Sequence, residues 1–496
     1  MDQELLSFYE AYKQKVSAYY MAMSIMYFDQ ATIAPEHGAE AMNDASALLS
    51  GEVFKYANDP ANVAKIEKLY EQAEDPILKR ELALTLKDLH EQRDIPADLY
   101  MNFHRAVAQS EHVWRFAKEQ NNYEMFKPYL MEVVKLQKEV VSYTHTDKTI
   151  YNKLLDDYEE GTSETMYDEF FALVKEKLVP LIHEIQACPK QIDNSIFFEH
   201  YPKEKQEAFI HELMDYMHVD TKEEYMGQTE HPFTMQVSAH DVRISTHYYE
   251  NNLMSAILSF IHENGHATFG LQINESYYGG ALASHLGSGL HESQSRFMEN
   301  HIGRHPVFWE VNYPKLQAIF PNFKDIPLET FMAMLNKCEP SLIRTEADEL
   351  TYPLHILIRY EIEKMMFNDG IDYDELPAIW NAKYKEYLGI DVDSDTHGVL
   401  QDMHWSAADL GYFPTYALGS AYAAQFYQQM EKEIDVADAL RNDFTLIKDW
   451  LKTHIHHYGA EKSANKILLE VTGETFNPNY YIDYLTNKYR KLYELD

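Results

Sequence analysis

Through roughly the first 220 residues, apolar positions return every three or four places, as at Leu130, Val133, Val134, Val140 and Val141. That spacing lays them on one helix face, so the stretch reads as successive amphipathic helices. Pro96, Pro128 and Pro202 are expected where helices start or are separated, because proline inside a helix removes a hydrogen bond and clashes with the preceding turn. Between Glu230 and Glu250 the period changes, and Val242, Ile244 and Thr246 alternate with Arg243, Ser245 and His247. A period of two predicts a small antiparallel hairpin there. Helical spacing resumes at Asn251 and runs, with loops near Gly279, Pro321, Gly370 and Gly398, to a tyrosine-rich helix ending at Asp496. The predicted architecture is mainly α with one minor sheet. Residues 1–496 are read as one large helical domain: 1–230 mostly scaffold, 231–416 bearing the motifs described below, and 417–496 C-terminal helices.

With 45% apolar and 25% charged residues the chain can bury a large core. A formal charge of −37, from 80 acidic and 43 basic side chains, repels phosphate backbones and anionic lipid, so neither nucleic acid nor membrane is an expected partner. The start, MDQELLSFYEAYKQK, has neither a basic region leading into an apolar run nor a small-residue cleavage site, and no apolar stretch approaches a membrane span. A cytoplasmic location is expected. Two cysteines, Cys188 and Cys338, cannot form a disulfide framework for a chain of this length and read as packing residues.

The helical spacing of Leu253, Met254, Ile257, Leu258 and Ile261 places His262 and His266 on one face, where two imidazoles can grip one ion. Glu263, one step around the helix, can reach a metal-bound water without ligating the metal. That is the HExxH arrangement, here HENGH. Gly265 weakens the helix by roughly 1 kcal/mol relative to Ala, which a mere packing role for the histidines leaves unexplained. A two-histidine, one-glutamate zinc site takes its third ligand from a second helix and keeps a position open for water. Glu292 is expected to supply it, following the glycine-rich turn YYGGALASHLGSG, with Glu299 as the alternative. Four residues after Glu292 stands Arg296, not an aspartate, so the acceptor for a ligand's second ring nitrogen is sought at Asp348 or Asp402. His454, His456 and His457 read as a helix end and not as a second metal site.

Six short signatures occur in one order: HPF at His231 to Phe233, DVRIST from Asp241, HENGH, HESQS at His291 to Ser295, IRTEAD at Ile343 to Asp348, and GVLQDMHW ending at Trp405. Together they resemble the thermostable carboxypeptidase (carboxypeptidase Taq) family of HExxH zinc metallopeptidases. The resemblance implies a saddle-shaped helical subunit with a deep groove, like the neurolysin and angiotensin-converting enzyme folds, usually homodimeric. It also implies one Zn2+ per subunit, with Co2+ or Mn2+ as substitutes, and broad carboxypeptidase action on peptides with a free C-terminus. On that reading Glu263 is general base and acid. His404 is the expected oxyanion donor, with Tyr412 and Tyr416 as further candidates. Arg344, and after it Arg243, would hold the terminal carboxylate, because arginine's planar fork binds carboxylates bidentately. His231 would line the groove, and the hairpin edge could take an extended peptide by strand addition.

Overall fold

Acceptor side chains start many of the helices in the computed structural model, which describes residues 2–144 and 146–495. Asp59 and Asp75 accept from the backbone N–H two residues on, and Asn122, Thr149 and Ser163 from the one three residues on. Each satisfies a donor that the helix itself leaves unpaired. Pro96 and Pro202 cap the helices Ala97–Glu119 and Lys203–Tyr216, as expected. Pro128 departs from expectation and lies inside Tyr123–Val141. The apolar face of that helix, with Tyr123, Phe126, Leu130, Val133 and Val134 buried, outweighs the one bond the proline forgoes.

Strands β1 (Glu224–Gln228), β2 (Thr234–Ser238) and β3 (Asp241–Thr246) form one sheet in the order β1-β3-β2. The predicted hairpin is the antiparallel pair β2 and β3, with Thr234 opposite Ile244 and Gln236 opposite Val242. β1 corrects the all-antiparallel expectation, because it runs parallel to β3, from Glu224 opposite Val242 to Gln228 opposite Thr246. The chain leaves β1 and returns on the far side of β3, so the sheet is mixed and β2 is left as an edge. Val242 and Ile244 point into the core, while every residue of β2 is half-buried.

One apolar core takes in buried side chains from Leu84 to Tyr493. A second, smaller core around Tyr9, Tyr12, Ile66, Leu69 and Leu86 joins the helices Gln3–Thr32, Pro60–Gln72 and Pro76–Arg93. Among the described residues no helix is long and apolar enough to cross a membrane.

The N-terminal half does more than support the rest, because two of its glutamates hold the glycine-rich turn. Glu81 accepts from the N–H groups of Ala281 and Leu282 at 2.9 and 2.8 Å. Glu159 accepts from the N–H of Leu290 at 2.9 Å, in the first turn of the helix Ser288–Arg296. A side chain at Gly280 or Gly287 would collide with these carboxylates. Burial pushes Glu159 up to about 7 from 4.5. Folding therefore takes up a proton between those values, and the cost of a buried charge at Glu159 is felt fully only above them. Relative to wild type, Glu159→Gln should gain stability as pH rises from about 5 to about 8, by up to about 3 kcal/mol in urea unfolding. A difference that stays flat or moves the other way contradicts this.

Candidate metal centre and its cavity

Asn252 caps the helix Leu253–Gln272 through Ser255 N–H, and nearly all of its inward residues are buried. His262 and His266 lie one turn apart, and Glu292 approaches from Ser288–Arg296. His262 Nε2 is 3.7 Å and His266 Nε2 3.5 Å from Glu292 Oε2. One ligand atom from each of the three residues lies within 4.8 Å of the others. Tetrahedral donors about 2.1 Å from an ion stand about 3.4 Å apart, close to the two histidine–glutamate separations, so the donor set suits a metal.

Glycine makes the approach possible. A Cβ at Gly265 would lie 2.5 Å from Gln294 O and 2.7 Å from Ser295 Cα, both backbone atoms that cannot step aside. On the opposite side, a Cβ at Gly419 of the helix Phe413–Glu433 would lie 2.7 Å from Glu292 Cβ. The carboxylate-bearing helix is thus clasped between two glycines.

Past Arg296 the helix widens into a π-helical turn, Phe297–Ile302, which carries Glu299. Glu299 Oε2 stands 2.9 Å from His262 Nδ1, and His266 Nδ1 stands 2.6 Å from His291 Nδ1. Were Nε2 of each to take a metal, His262 and His266 would donate their Nδ1–H, to the Glu299 carboxylate and to the His291 lone pair. Burial and the neighbouring His266 hold His291 down to about 3, so it is neutral and able to accept. Arg296 donates from Nε to Glu292 Oε1 at 2.7 Å and from Nη1 to Glu299 Oε2 at 3.0 Å. Burial alone would raise the Glu292 carboxyl, but Arg296 and then His262 hold it well below the usual range. The donor stays ionised.

These groups open onto a cavity of about 1120 Å³ lined by His262, Glu263, His266, Glu292, Tyr412 and Tyr416, with Thr234 of β2 on the same wall. Glu263 is buried, and its Oε2 accepts from Thr234 Oγ1 at 2.6 Å. His404 is not part of that lining. It stands behind Tyr416, with Nε2 3.3 Å from Tyr416 Oη and Nδ1 without a hydrogen-bond partner among the described residues. Burial lowers His404 to about 4, leaving a neutral ring at pH 7.

The chain matches the model for the carboxypeptidase Taq (M32) metallopeptidases over residues 8–489. It belongs to that family. It is thus a metallocarboxypeptidase, a peptide hydrolase that takes a metal cofactor. Carboxypeptidase 1 of Bacillus subtilis (strain 168) is 38% identical over 487 residues, covering 97% of each chain. Thermostable carboxypeptidase 1 of Thermus thermophilus is 33% identical over 509 residues, covering 99% of this chain and 98% of that one. The crystal structure of an M32 carboxypeptidase from Deinococcus radiodurans R1 superposes with a TM-score of 0.95 at 28% identity, covering 99% of this chain and all of the other (100%).

In this peptidase the residues expected to hold substrate are not among those lining the cavity. Arg344 is buried against Asp402, with Nη2 2.9 Å from Oδ1. The same carboxylate accepts from Arg359 Nε at 2.7 Å. Arg243 pairs with Asp241 at 3.0 and 2.8 Å and borders a different cavity, between β1 and the N-terminal helix. His231 is exposed, just outside the cavity-lining run that starts at Pro232. Among the residues lining the central cavity, the one lysine or arginine is Lys13.

Two expectations about the surroundings of the histidines are corrected. Asp348 is occupied by the N–H groups of Glu339 and Leu350 and by Thr351, and Asp402 by two arginines, so neither serves His262 or His266. Glu299 takes that place for His262. His456 ties Gln272 to Gln294 at 2.6 and 2.7 Å, joining the two helices that carry the donors. Sequence reading missed Thr234, Glu159 and the bridging role of Arg296, although Arg296 lies at helical spacing from Glu292.

Gly265→Ala is expected to cost about 1–3 kcal/mol of stability through overpacking. It should also weaken metal binding about 10-fold or more, because the Glu292 helix must withdraw. Thermal unfolding of the metal-free protein and competition against a chelator measure the two effects, and wild-type affinity in the variant would contradict the clasp.

Proposed function

We propose that the protein is a zinc carboxypeptidase of broad specificity that hydrolyses the C-terminal peptide bond of peptides, with His262, His266 and Glu292 as ligands and Glu263 as general base. One observation carries this reading: three donors converge within 4.8 Å on the wall of a large cavity, with the Glu263 carboxylate beside them. Two histidines and a glutamate suit zinc, and cobalt or manganese can occupy the same donors.

His262, His266 and Glu292 would hold the zinc, which when bound would supply a Lewis acid for the scissile carbonyl and lower the pKa of a water from about 15.7 to about 7. Glu263 takes the proton of the attacking water and returns it to the leaving amine, a transfer worth about 10²- to 10⁴-fold. Tyr416 and Tyr412 present phenols from the cavity wall to the developing oxyanion, and His404 acts on it through Tyr416. For the terminal carboxylate, charge favours Arg344 over Arg243. Arg344 and Arg359 share one aspartate and keep one positive charge in excess, whereas Arg243 and Asp241 cancel. A substrate carboxylate would complete the Arg344 cluster. His231 belongs to the groove mouth on this account, and the edge of β2 would pair with the peptide backbone. The reading extends to a saddle-shaped fold of the neurolysin and angiotensin-converting enzyme kind, one ion per subunit, and a cytoplasmic homodimer.

A short peptide and its C-terminally amidated twin, incubated with zinc-loaded enzyme and followed by mass spectrometry, test the reaction. Stepwise loss from the free C-terminus is expected, absent for the amide and abolished by chelator. Glu263→Gln should keep the metal and lose turnover by about 10²-fold or more. Internal or N-terminal cleavage, or an active metal-loaded Gln variant, would overturn the assignment.

A further inference from the structure

The Glu263 carboxylate has one side-chain hydrogen bond among the described residues, and it comes from the sheet. Thr234 Oγ1 lies 2.6 Å from Glu263 Oε2 and 3.1 Å from Glu263 O. A hydroxyl has one proton, and the shorter contact to an ionised oxygen takes it. Oε2 is thereby held, and Oε1 is left for the reacting water. Without that bond no side-chain hydrogen bond among the described residues fixes the outer torsions of the Glu263 side chain, and a base that samples several rotamers spends less time in line with its proton.

Thr234 is placed to do this by its own strand. It is the first residue of β2, the edge opposite β1, and its backbone pairs on one side with Ile244 of β3. Just before it, the Phe233 ring packs edge-on against Tyr27 and Phe28 of the N-terminal helix, at 5.7 and 5.8 Å between centroids. The strand carrying the hydroxyl is therefore pinned from behind by packing that owes nothing to the metal. A β-branched residue suits this strand position, but of the β-branched residues only threonine supplies a donor.

We propose that Thr234 is a positioning residue for the general base, coupling the edge strand that lines the substrate cavity to the orientation of Glu263. The proposal rests on Glu263 being the base. It assigns to the residue after the HPF motif a role in the chemical step and not in peptide affinity.

Thr234→Val keeps shape and strand preference and removes the donor, whereas Thr234→Ser keeps the donor. Both are compared with wild type and Glu263→Gln for bound zinc, steady-state KM and single-turnover cleavage of a short free-acid peptide. The Val variant should keep wild-type zinc and a KM within about 2-fold while its single-turnover rate falls about 10- to 100-fold, the loss expected for a hydrogen bond to a charged group. Serine should recover the rate to within about 3-fold of wild type. A Val variant cleaving at the wild-type rate, one altered in KM alone, or a serine variant as slow as valine would overturn the positioning role and leave Glu263 as base. An active Glu263→Gln would instead remove the reading beneath it. Should valine disturb folding or zinc content, Thr234→Ala against Thr234→Ser decides by the same rates.

Discussion

Everything at the centre depends on how near one helix backbone can come to another. Glu292 reaches His262 and His266 because Gly265 presents no side chain to Gln294 and Ser295, and because Gly419 leaves room behind Glu292 Cβ. A glycine inside a helix costs stability, and here the cost is offset by contact between helices that carry complementary donors. Glu299, two turns on from Glu292 and within the π-helical turn that continues the helix, reaches the far nitrogen of His262. Glu292, the bridging Arg296 and the histidine acceptor Glu299 all lie on one short stretch, so placing that stretch places most of the site.

Electrostatics then keeps the stretch in its working form. Two carboxylates, Glu292 and Glu299, crowd His262 and His266 in a setting where burial alone would favour protonation. Arg296 counters this by bonding Glu292 and Glu299 at once, and its guanidinium is itself covered by the ring of Tyr352 at 4.3 Å. Farther out, Glu81 and Glu159 of the N-terminal half tie down the turn that leads into the helix. The two halves of the chain are joined through backbone amides as well as through apolar packing.

The convergence of His262, His266 and Glu292 was legible because it depends on local periodicity: four residues separate the two histidines on one helix, and a glycine-rich turn announces a reversal. The hairpin was legible for the same reason, since Val242, Ile244 and Thr246 alternate. The parallel partner was not, because Glu224–Gln228 reads EYMGQ and carries no two-residue pattern. Glu299, two helical turns beyond Glu292 and so on the same face, was expected only as an alternative ligand; that it bonds Nδ1 of His262 instead depends on how the two helices approach, which spacing does not encode. Glu159 and Thr234 are brought in by contacts over long separations, and each is an ordinary residue by type. Arg344 was expected at the substrate. Its pairing with Asp402, shared with Arg359, belongs to tertiary structure that spacing does not encode. Pro128 shows the converse limit, where a strong local rule yields to the burial of a whole helix face.

The most direct test is anomalous diffraction from crystals of the zinc-loaded protein, collected on both sides of the metal absorption edge. A single strong peak is expected within about 2.0–2.2 Å of His262 Nε2, His266 Nε2 and a Glu292 oxygen, with Glu299 on His262 Nδ1. A peak elsewhere, or an ion ligated by Glu299 in place of Glu292, would contradict the account.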